Sequence, residues 1–436
     1  MQFTDTIFAL SSGRLPSGIA VVRISGPSVR FVVETVAGAV PTPARLVLRT
    51  LRAADGSPID TGFVAFFSGP ASFTGEDSGE FHIHGGRAVV DALLRRLGSI
   101  RGVRPAEAGE FTRRAFLNGK FDLVQAEALG DLIEAETEAQ RRLALEAATG
   151  HVSRIYDGWR SAILRVQAAI AADLDFSDEG DVPDSVAKQV SQDVAKVRVE
   201  VERHLAAFHR AEMIRDGYRV VIVGPPNAGK SSLLNALAGR DVAIVADEPG
   251  TTRDLIEVPL DLGGLKIVVT DTAGIRPEAG YVERMGIERA VASAEKADLV
   301  IELVPYDDVA TSQERGWRNV ICIRSKVDKG VAVPEDPLLG ISTVTGEGIE
   351  RLLQTIRDRA DADVRVGEDS GPQKLRHRAA LERCAAGLAR AEIDGLALEL
   401  VAEELRVAAG ELGRVTGRID VEDILGEVFS AFCIGK

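Results

Sequence analysis

The sequence predicts a multidomain protein of mixed α/β and α+β type. A doubly wound, mostly parallel sheet domain is inserted in a helical domain, and an α+β domain precedes both. Three observations carry this reading. Between Arg219 and Ile323 short apolar runs alternate with helical stretches. On either side, from about Lys120 to Met213 and again after Pro372, apolar residues recur at helical spacing. Residues 1–119 instead mix short apolar runs with turns that contain Gly and Pro. At 436 residues the chain exceeds one ordinary core, and two to four domains are expected.

In the first block Ile19–Ile24 (IAVVRI), Phe63–Phe67 and Phe81–His84 read as strands. His82 and His84 share one strand face, but a lone HxH lacks further metal ligands and reads as packing. From Lys120 the segment to Leu174 reads as helical, with Leu129, Leu132 and Ile133 at i, i+3, i+4 spacing. The acidic stretch DFSDEGDVPD (Asp175–Asp184) interrupts it, and a second helix follows to about Met213. Strands are expected at Arg219–Val223, Lys266–Thr270, Asp298–Val304 and Asn319–Ile323, with a helix from Lys230. After Pro372, Leu398, Val401, Leu405, Ala408 and Leu412 can share one helix face. In the last helix Ile424, Val428 and Phe432 repeat every four residues, with Asp420 as N-cap and Asp423 three residues on. The expected boundaries are an α+β domain over 1–119, a helical domain split into 120–215 and 372–436, and the inserted domain over 216–371. Two separate helical bundles are the alternative to the split domain.

Composition narrows the classes. A net charge of −14 excludes an overall basic surface, so any nucleic-acid contact is local or shared with a partner. The cysteines Cys322, Cys384 and Cys433 are scattered without CxxC spacing, which argues against a disulfide framework or zinc site and for a reducing cytosol. The start, MQFTDTIFAL, lacks the flanks of a signal peptide, and no run approaches the roughly 18–20 apolar residues of a membrane span. A cytoplasmic location is the expectation.

Gly224-Pro-Pro-Asn-Ala-Gly229-Lys230-Ser231 fits GxxxxGK[ST], after the apolar run VVIV and before SSLLNALAG. Strand, loop and helix are the context a phosphate-binding P-loop needs. Glycines let backbone N–H groups close on phosphate oxygens, and the helix N-terminus adds positive potential. Lys230 meets the β and γ phosphates, and Ser231 reaches Mg²⁺. Three more signals follow in order: Thr251-Thr252-Arg253-Asp254, Asp271-Thr272-Ala273-Gly274, and Ser325-Lys326-Val327-Asp328. Thr252 can reach the metal and sense the γ-phosphate, Asp271 can hold the Mg²⁺ shell, and the Gly274 N–H can face the γ-phosphate. Asp328 can accept from guanine N1–H and the exocyclic amine, which adenine does not offer. Lys326 can lay its stem along the base. Ser342-Thr343 is a weaker, fifth signal for the base-facing loop. Each later motif alone has an ordinary reading as a turn or charge pair; in register behind a P-loop they resemble the motif set of translation-factor-like GTPases.

Two departures stand out. The guanine motif usually begins with Asn and here begins with Ser325. The shorter side chain is expected to lose one contact, to the base or the P-loop, leaving guanine preference with weaker affinity. Ras-like enzymes place a water-orienting Gln after DxxG, where this chain has Ile275. Glu283, in the following loop, is the candidate replacement.

The chain ends DILGEVFSAFCIGK, and its first block carries IAVVRISGP, SFTGEDSGEFHIHGG and GEFTRRAFLNGKFDLVQAEAL. With PNAGKSSLLNAL and ELRVAAGELGRVTG, these closely resemble the MnmE (TrmE) family of tRNA modification GTPases nearly end to end. The resemblance implies a P-loop GTPase domain inserted in a helical domain, behind a tetrahydrofolate-binding, dimer-forming α+β domain. It implies a homodimer acting with the FAD-binding partner MnmG (GidA). Together they carry out C5 (carboxymethyl)aminomethyl modification of tRNA wobble uridine, with tRNA contacted directly or mainly through the partner and no membrane involved. A tetrahydrofolate derivative (5-formyl- or methylene-tetrahydrofolate) would supply the one-carbon unit. Carried over by position, Asn227 with Ala246, Glu248 and Thr251 would hold K⁺, and Ser231 with Thr252 would hold Mg²⁺. Ala228, Gly229, Ser232, Asp247, Pro249 and Gly250 would complete the nucleotide loops. Glu283 would orient the attacking water through an intermediate. Arg23, Glu80, Lys120 and Lys436 match the folate-site positions, and the family keeps a cysteine at Cys433.

Ordinary readings stand beside these: Arg23 and Lys120 as surface charges, Glu80 as a strand-edge residue, Glu283 on a solvated helix face. Two other functions are alternatives. A regulatory or ribosome-assembly GTPase switch would share the nucleotide motifs but not the first block or CIGK. A folate-dependent one-carbon transferase with a degenerate nucleotide domain conflicts with intact Lys230, Thr252, Asp271 and Asp328.

Overall fold

The computed structural model describes residues 3–175, 185–244, 256–271, 293–307, 317, 319–330, 338–365, 370–393, 396–419, 422–430, 432 and 434–435. They form two compact units, Met1–Gly130 with Ala147–Ser161 and Ala409–Lys436, and Asp131–Glu146 with Ala162–Ala408.

The first unit is built on strands β1 (Thr6–Leu10), β2 (Ser17–Ser25), β3 (Val47–Arg52), β4 (Pro58–Phe67), β5 (Ser78–Gly85) and β6 (Val103–Pro105). Their order is β3-β4-β5-β2-β1-β6, antiparallel except for the parallel β1–β6 pair. Alternation decides the faces. Ala20, Val22 and Ile24 of β2 and Phe81 and Ile83 of β5 are buried, and they pack with Val32 and Val33 of the helix Val29–Ala37 and Leu93 and Leu97 of the helix Arg87–Gly98. The intervening positions Arg23, Glu80 and His82 face the other way, with Arg23 opposite Glu80 in register.

The chain's last residues belong to this unit. Leu425 and Phe429 of the helix Glu422–Ser430 pack on Leu123 and Ala126. The expected face was Ile424, Val428 and Phe432. Val428 and Phe432 lie at the margin of that cluster, partly buried, so the buried stripe runs one position over. Asp420 and the side chains of Ile424 and Asp423 fall outside the described residues. Ile434 bridges Ala108, and Ser11 Oγ donates to the Gly435 carbonyl at 2.8 Å.

The second sheet contains β7 (Tyr218–Val223), β8 (Ile256–Asp261), β9 (Lys266–Asp271), β10 (Leu299–Pro305), β11 (Val320–Ser325) and β12 (Leu339–Ile341), in the order β12-β11-β10-β7-β9-β8. All neighbours are parallel except β8 and β9. The sequence did not suggest β8, because Pro259 interrupts its apolar pattern; as the last strand of the sheet it tolerates a residue with no N–H to give. Val220, Ile222, Leu233, Leu237, Ile301 and Leu303 are fully buried in its core. Burying each such side chain contributes about 1.5–3 kcal/mol.

The long helical stretch expected after Lys120 is three helices, Leu123–Glu134, Glu138–Ala148 and His151–Asp175. The first break is a reciprocal cap: Gln140 Oε1 accepts from the Thr137 N–H at 3.1 Å, and Thr137 Oγ1 accepts from the Gln140 N–H at 3.5 Å. The second is Gly150, at φ +78°. The buried residues of the first helix are Leu123, Val124, Ala126 and Ala128, while Leu129 and Leu132 are half-buried and Ile133 is exposed. In the helix Leu398–Thr416 the expected face holds at Val401, Leu405, Ala408 and Leu412, which are buried, while Leu398 at its start is half-buried. Among the described residues no helix is long and apolar enough to cross a membrane.

Candidate nucleotide site

The C-terminal ends of β7, β9, β11 and β12 bring four sequence motifs to one edge of the sheet, where ligands bind in doubly wound folds. Registers place them: Asp271 lies beside Ile222, two residues before Gly224, and Ser325 lies beside Ile341, one residue before Ser342.

The phosphate loop leaves β7 at Gly224, whose φ of +153° favours glycine and whose added Cβ would stand 2.7 Å from the Leu303 carbonyl oxygen. It ends on Gly229, left-handed at φ +99°, the N-cap of the helix Lys230–Ala238. Asn227 is also left-handed, at φ +64°, though it carries a side chain. A residue so held costs on the order of 1–3 kcal/mol, a local strain found at ligand loops. Lys230 Nζ donates to the carbonyls of Gly224 (2.9 Å) and Pro225 (3.0 Å), which keeps the ammonium at the loop. Burial pulls its pKa down from the ordinary lysine value, and the nearby Asp271 carboxylate opposes that shift.

Ser231 Oγ donates to Asp271 Oδ2 at 2.6 Å, and Asp271 is fully buried at the end of β9. A hydroxyl and a carboxylate side by side at the head of the loop are hard oxygen donors suited to Mg²⁺. Among the described residues no cluster of three His, Cys, Asp or Glu could hold a metal alone.

On the base side, Ser325 Oγ donates to the Ala228 carbonyl at 2.6 Å, and both residues are buried. The contact to the P-loop that the shorter serine was expected to risk is therefore present. Lys326, left-handed at φ +59°, donates from Nζ to the Asn227 carbonyl, so its stem runs along the loop. Asp328 Oδ1 accepts from Ser342 Oγ at 2.6 Å. Ser342 is buried and also receives the N–H groups of Val344 and Thr345, each at 3.2 Å, with the half-buried Thr343 between. Ser232 follows Ser231 in the first helical turn, exposed. Ala246, Asp247, Glu248, Pro249, Gly250, Thr251, Thr252, Thr272, Ala273, Gly274, Glu283, Cys433 and Lys436 lie outside the described residues.

Two family models match the chain: the MnmE helical domain over residues 123–433 and the GTP-binding protein TrmE N-terminus over residues 6–120. The chain belongs to the MnmE family. The tRNA modification GTPase MnmE of Brucella anthropi is 54% identical over 435 residues, covering 99% of this chain and 98% of the relative. That of Brucella melitensis is 52% identical over 440 residues, covering 100% and 99%. Membership in the MnmE family, with the P-loop on its parallel sheet, makes the chain a GTP-hydrolysing enzyme.

In the α+β domain of this MnmE-family chain, Arg23 Nε and Nη2 both donate to Glu80 Oε1, at 3.1 and 3.0 Å, and His82 Nε2 lies 3.1 Å from Glu80 Oε2. His84 pairs with Asp60 instead, so the two histidines have separate partners. Lys120 Nζ donates to the Pro70 carbonyl at 2.8 Å. Sequence reasoning missed the side chains that hold this region together. Arg114, fully buried, bonds Asp5 Oδ1 (2.8 Å), Glu110 Oε1 (2.9 Å) and Glu76 Oε2 (3.3 Å). Arg104 reaches Asp5 and Glu110 as well. Burial works to raise the Asp5 and Glu110 carboxyls, but the two guanidinium groups, joined at Glu110 by the Glu107 N–H, outweigh it and hold both below their ordinary values. Arg114 and Glu110 stand in GEFTRRAFLNGK, which the sequence offered only as a family likeness.

Proposed function

We propose that this chain couples GTP hydrolysis to C5 (carboxymethyl)aminomethyl modification of tRNA wobble uridine. It does so in the cytoplasm as a homodimer, with the FAD-binding partner MnmG and a 5-formyl- or methylene-tetrahydrofolate donor. The domains are 1–119 for folate binding and dimerisation, 120–215 and 372–436 for the helical scaffold, and 216–371 for GTP. The supporting observation is the meeting of Lys230, the Ser231–Asp271 pair, Ser325 and Asp328 at one sheet edge in a chain of this family.

Lys230 and the loop N–H groups bind the β and γ phosphates, and Asp328 pairs with the guanine edge. Ser231 and Thr252 would hold Mg²⁺, with Asp271 accepting from Ser231 behind them. Asn227, Ala246, Glu248 and Thr251 would hold K⁺. Bound cations there neutralise charge that develops on the phosphates, a role an arginine finger has elsewhere. Glu283 orients the attacking water through an intermediate, as Ile275 cannot. In the first domain the Glu80 carboxylate, kept in place by Arg23 and His82, suits the N–H edge of a pterin, and Lys120 and Lys436 suit folate carboxylates. Cys433, at the position where the family keeps a cysteine, is included among the functional-site residues with no chemical step assigned to it.

Two measurements test the finer parts. GTP turnover by the purified chain is faster in KCl than in NaCl at equal ionic strength; equal rates remove K⁺ from the proposal. Calorimetry with 5-formyl-tetrahydrofolate gives a binding heat that Arg23→Ala abolishes, and an unaltered isotherm removes Arg23 from the site.

A further inference from the structure

Arg23, which holds Glu80, stands against one of a pair of phenylalanines, and Lys120 precedes the other in the chain. Phe73, in the loop between β4 and β5, is 37% exposed. Its ring centroid lies 5.9 Å from that of Phe121, with the planes at 51°. The Arg23 guanidinium stands 5.3 Å from the Phe73 centroid and 5.9 Å from that of the buried Phe111. Phe121 follows Lys120 in the chain, and the Lys120 ammonium is bonded to Pro70, three residues before Phe73.

The loop that carries Phe73 is clamped on several sides. Ser25 Oγ is 2.6 Å from Thr74 Oγ1 and donates to Glu76 Oε2 at 2.8 Å. Asn118 Nδ2 donates to the Thr74 carbonyl at 2.8 Å. The buried Arg114 holds the Glu76 carboxylate, and the Asp77 carboxylate accepts the Gly69 N–H at 2.9 Å. A half-exposed aromatic ring on a loop fixed in this way presents a constant apolar face. Beside it stand a carboxylate able to accept from N–H groups and a guanidinium able to donate. A flat heterocycle with a hydrogen-bonding edge needs both surfaces at once.

We infer that Phe73 is a specificity-determining residue of this site: its ring stacks on the planar pyrimidinone ring of a reduced pterin whose N–H edge pairs with Glu80. The inference rests on the folate reading above. Stacking selects for a flat ring, where the charges of Arg23 and Lys120 alone would accept many anions. Phe73→Leu keeps the apolar volume and removes the π face, whereas Phe73→Tyr keeps the face.

The test is calorimetry on the full chain with 5-formyl-tetrahydrofolate, beside a fluorescent GTP titration and a melting curve for each variant. Phe73→Leu binds the folate about ten-fold more weakly, Phe73→Tyr stays within about two-fold of wild type, and GTP affinity is unchanged in both. Phe73→Met, of similar volume and also without a π face, replaces Phe73→Leu if the latter loses the wild-type melting temperature. Wild-type affinity in both non-aromatic variants overturns the role of Phe73 and leaves the folate reading standing. Absence of a folate heat in the wild-type chain overturns the folate reading and this inference with it.

Discussion

Removing one hydroxyl at the guanine motif gives a quantitative prediction. In Ser325→Ala the 2.6 Å bond from Oγ to the Ala228 carbonyl is lost, and that carbonyl belongs to a fully buried residue inside the phosphate loop. A typical hydrogen bond contributes about 0.5–1.5 kcal/mol, and a buried acceptor left unpaired costs about 1–3 kcal/mol. Backbone adjustment recovers part of this, so a net loss of about 1–2 kcal/mol is expected. It falls on the contact that ties the base-recognition loop to the loop that wraps the phosphates. Expressed in binding, the loss is about 5–30-fold in GTP affinity at 1.4 kcal/mol per factor of ten. Titration of a fluorescent GTP analogue, with GDP in parallel, measures it. Both nucleotides weaken together, because the contact lies beneath the loop rather than at the γ-phosphate. Ser325→Asn, with a longer arm, restores most of the affinity. Nucleotide affinities within about two-fold of wild type in Ser325→Ala would show that the bond to Ala228 does not support nucleotide binding.

Four further predictions rest on the geometry of the nucleotide site and of the first unit. Asp271→Asn removes the buried carboxylate that accepts from Ser231 and lowers steady-state GTP turnover on the order of 100-fold, with nucleotide still bound in a filter assay. Asp328→Asn replaces an acceptor of two guanine N–H groups by an amide, so GTP affinity falls about 100-fold while xanthosine triphosphate binds better than GTP in competition. Arg114→Met strips a fully buried guanidinium from three carboxylates and destabilises the first unit by about 3–5 kcal/mol in chemical denaturation. The same network fixes a pH dependence. Because folding depresses Asp5 and Glu110, their stabilisation is present above the ordinary carboxylate values of 3.8 and 4.5 and is lost as pH falls through the lowered ones. Melting curves taken from pH 6 downward therefore show an acid-side loss in wild type that is reduced but not abolished in Arg114→Met, where Arg104 still holds both carboxyls.

The nucleotide site was legible because its chemistry is local. GxxxxGKS, Asp271 and SKVD each stand at the end of an apolar strand, and parallel pairing brings those ends together without further instruction. Strand β8 was not legible, since Pro259 contradicts a central strand and only the sheet order reveals that it is an edge. The Thr137–Gln140 cap was written in the sequence as T-x-x-Q but lay inside an Ala- and Glu-rich run that reads as uninterrupted helix. Ser325 could not be judged from type alone, because whether a short side chain reaches Ala228 depends on the distance between two strand ends. The same limit hid Arg114 and Phe73. Their partners lie up to about a hundred residues away, as with Asp5 for Arg114, and a buried arginine looks like any other until those partners are placed.

The proposed coupling of GTP hydrolysis at this site to tRNA wobble-uridine modification can be read in cells. Mass spectrometry of wobble nucleosides in tRNA from cells lacking the gene, rescued with wild type or Asp271→Asn, tests it most directly. C5 aminomethyl-type nucleosides vanish in the deletion, return with wild type and stay absent with Asp271→Asn expressed at equal level. An unchanged nucleoside profile in the deletion, or full rescue by Asp271→Asn, would contradict it.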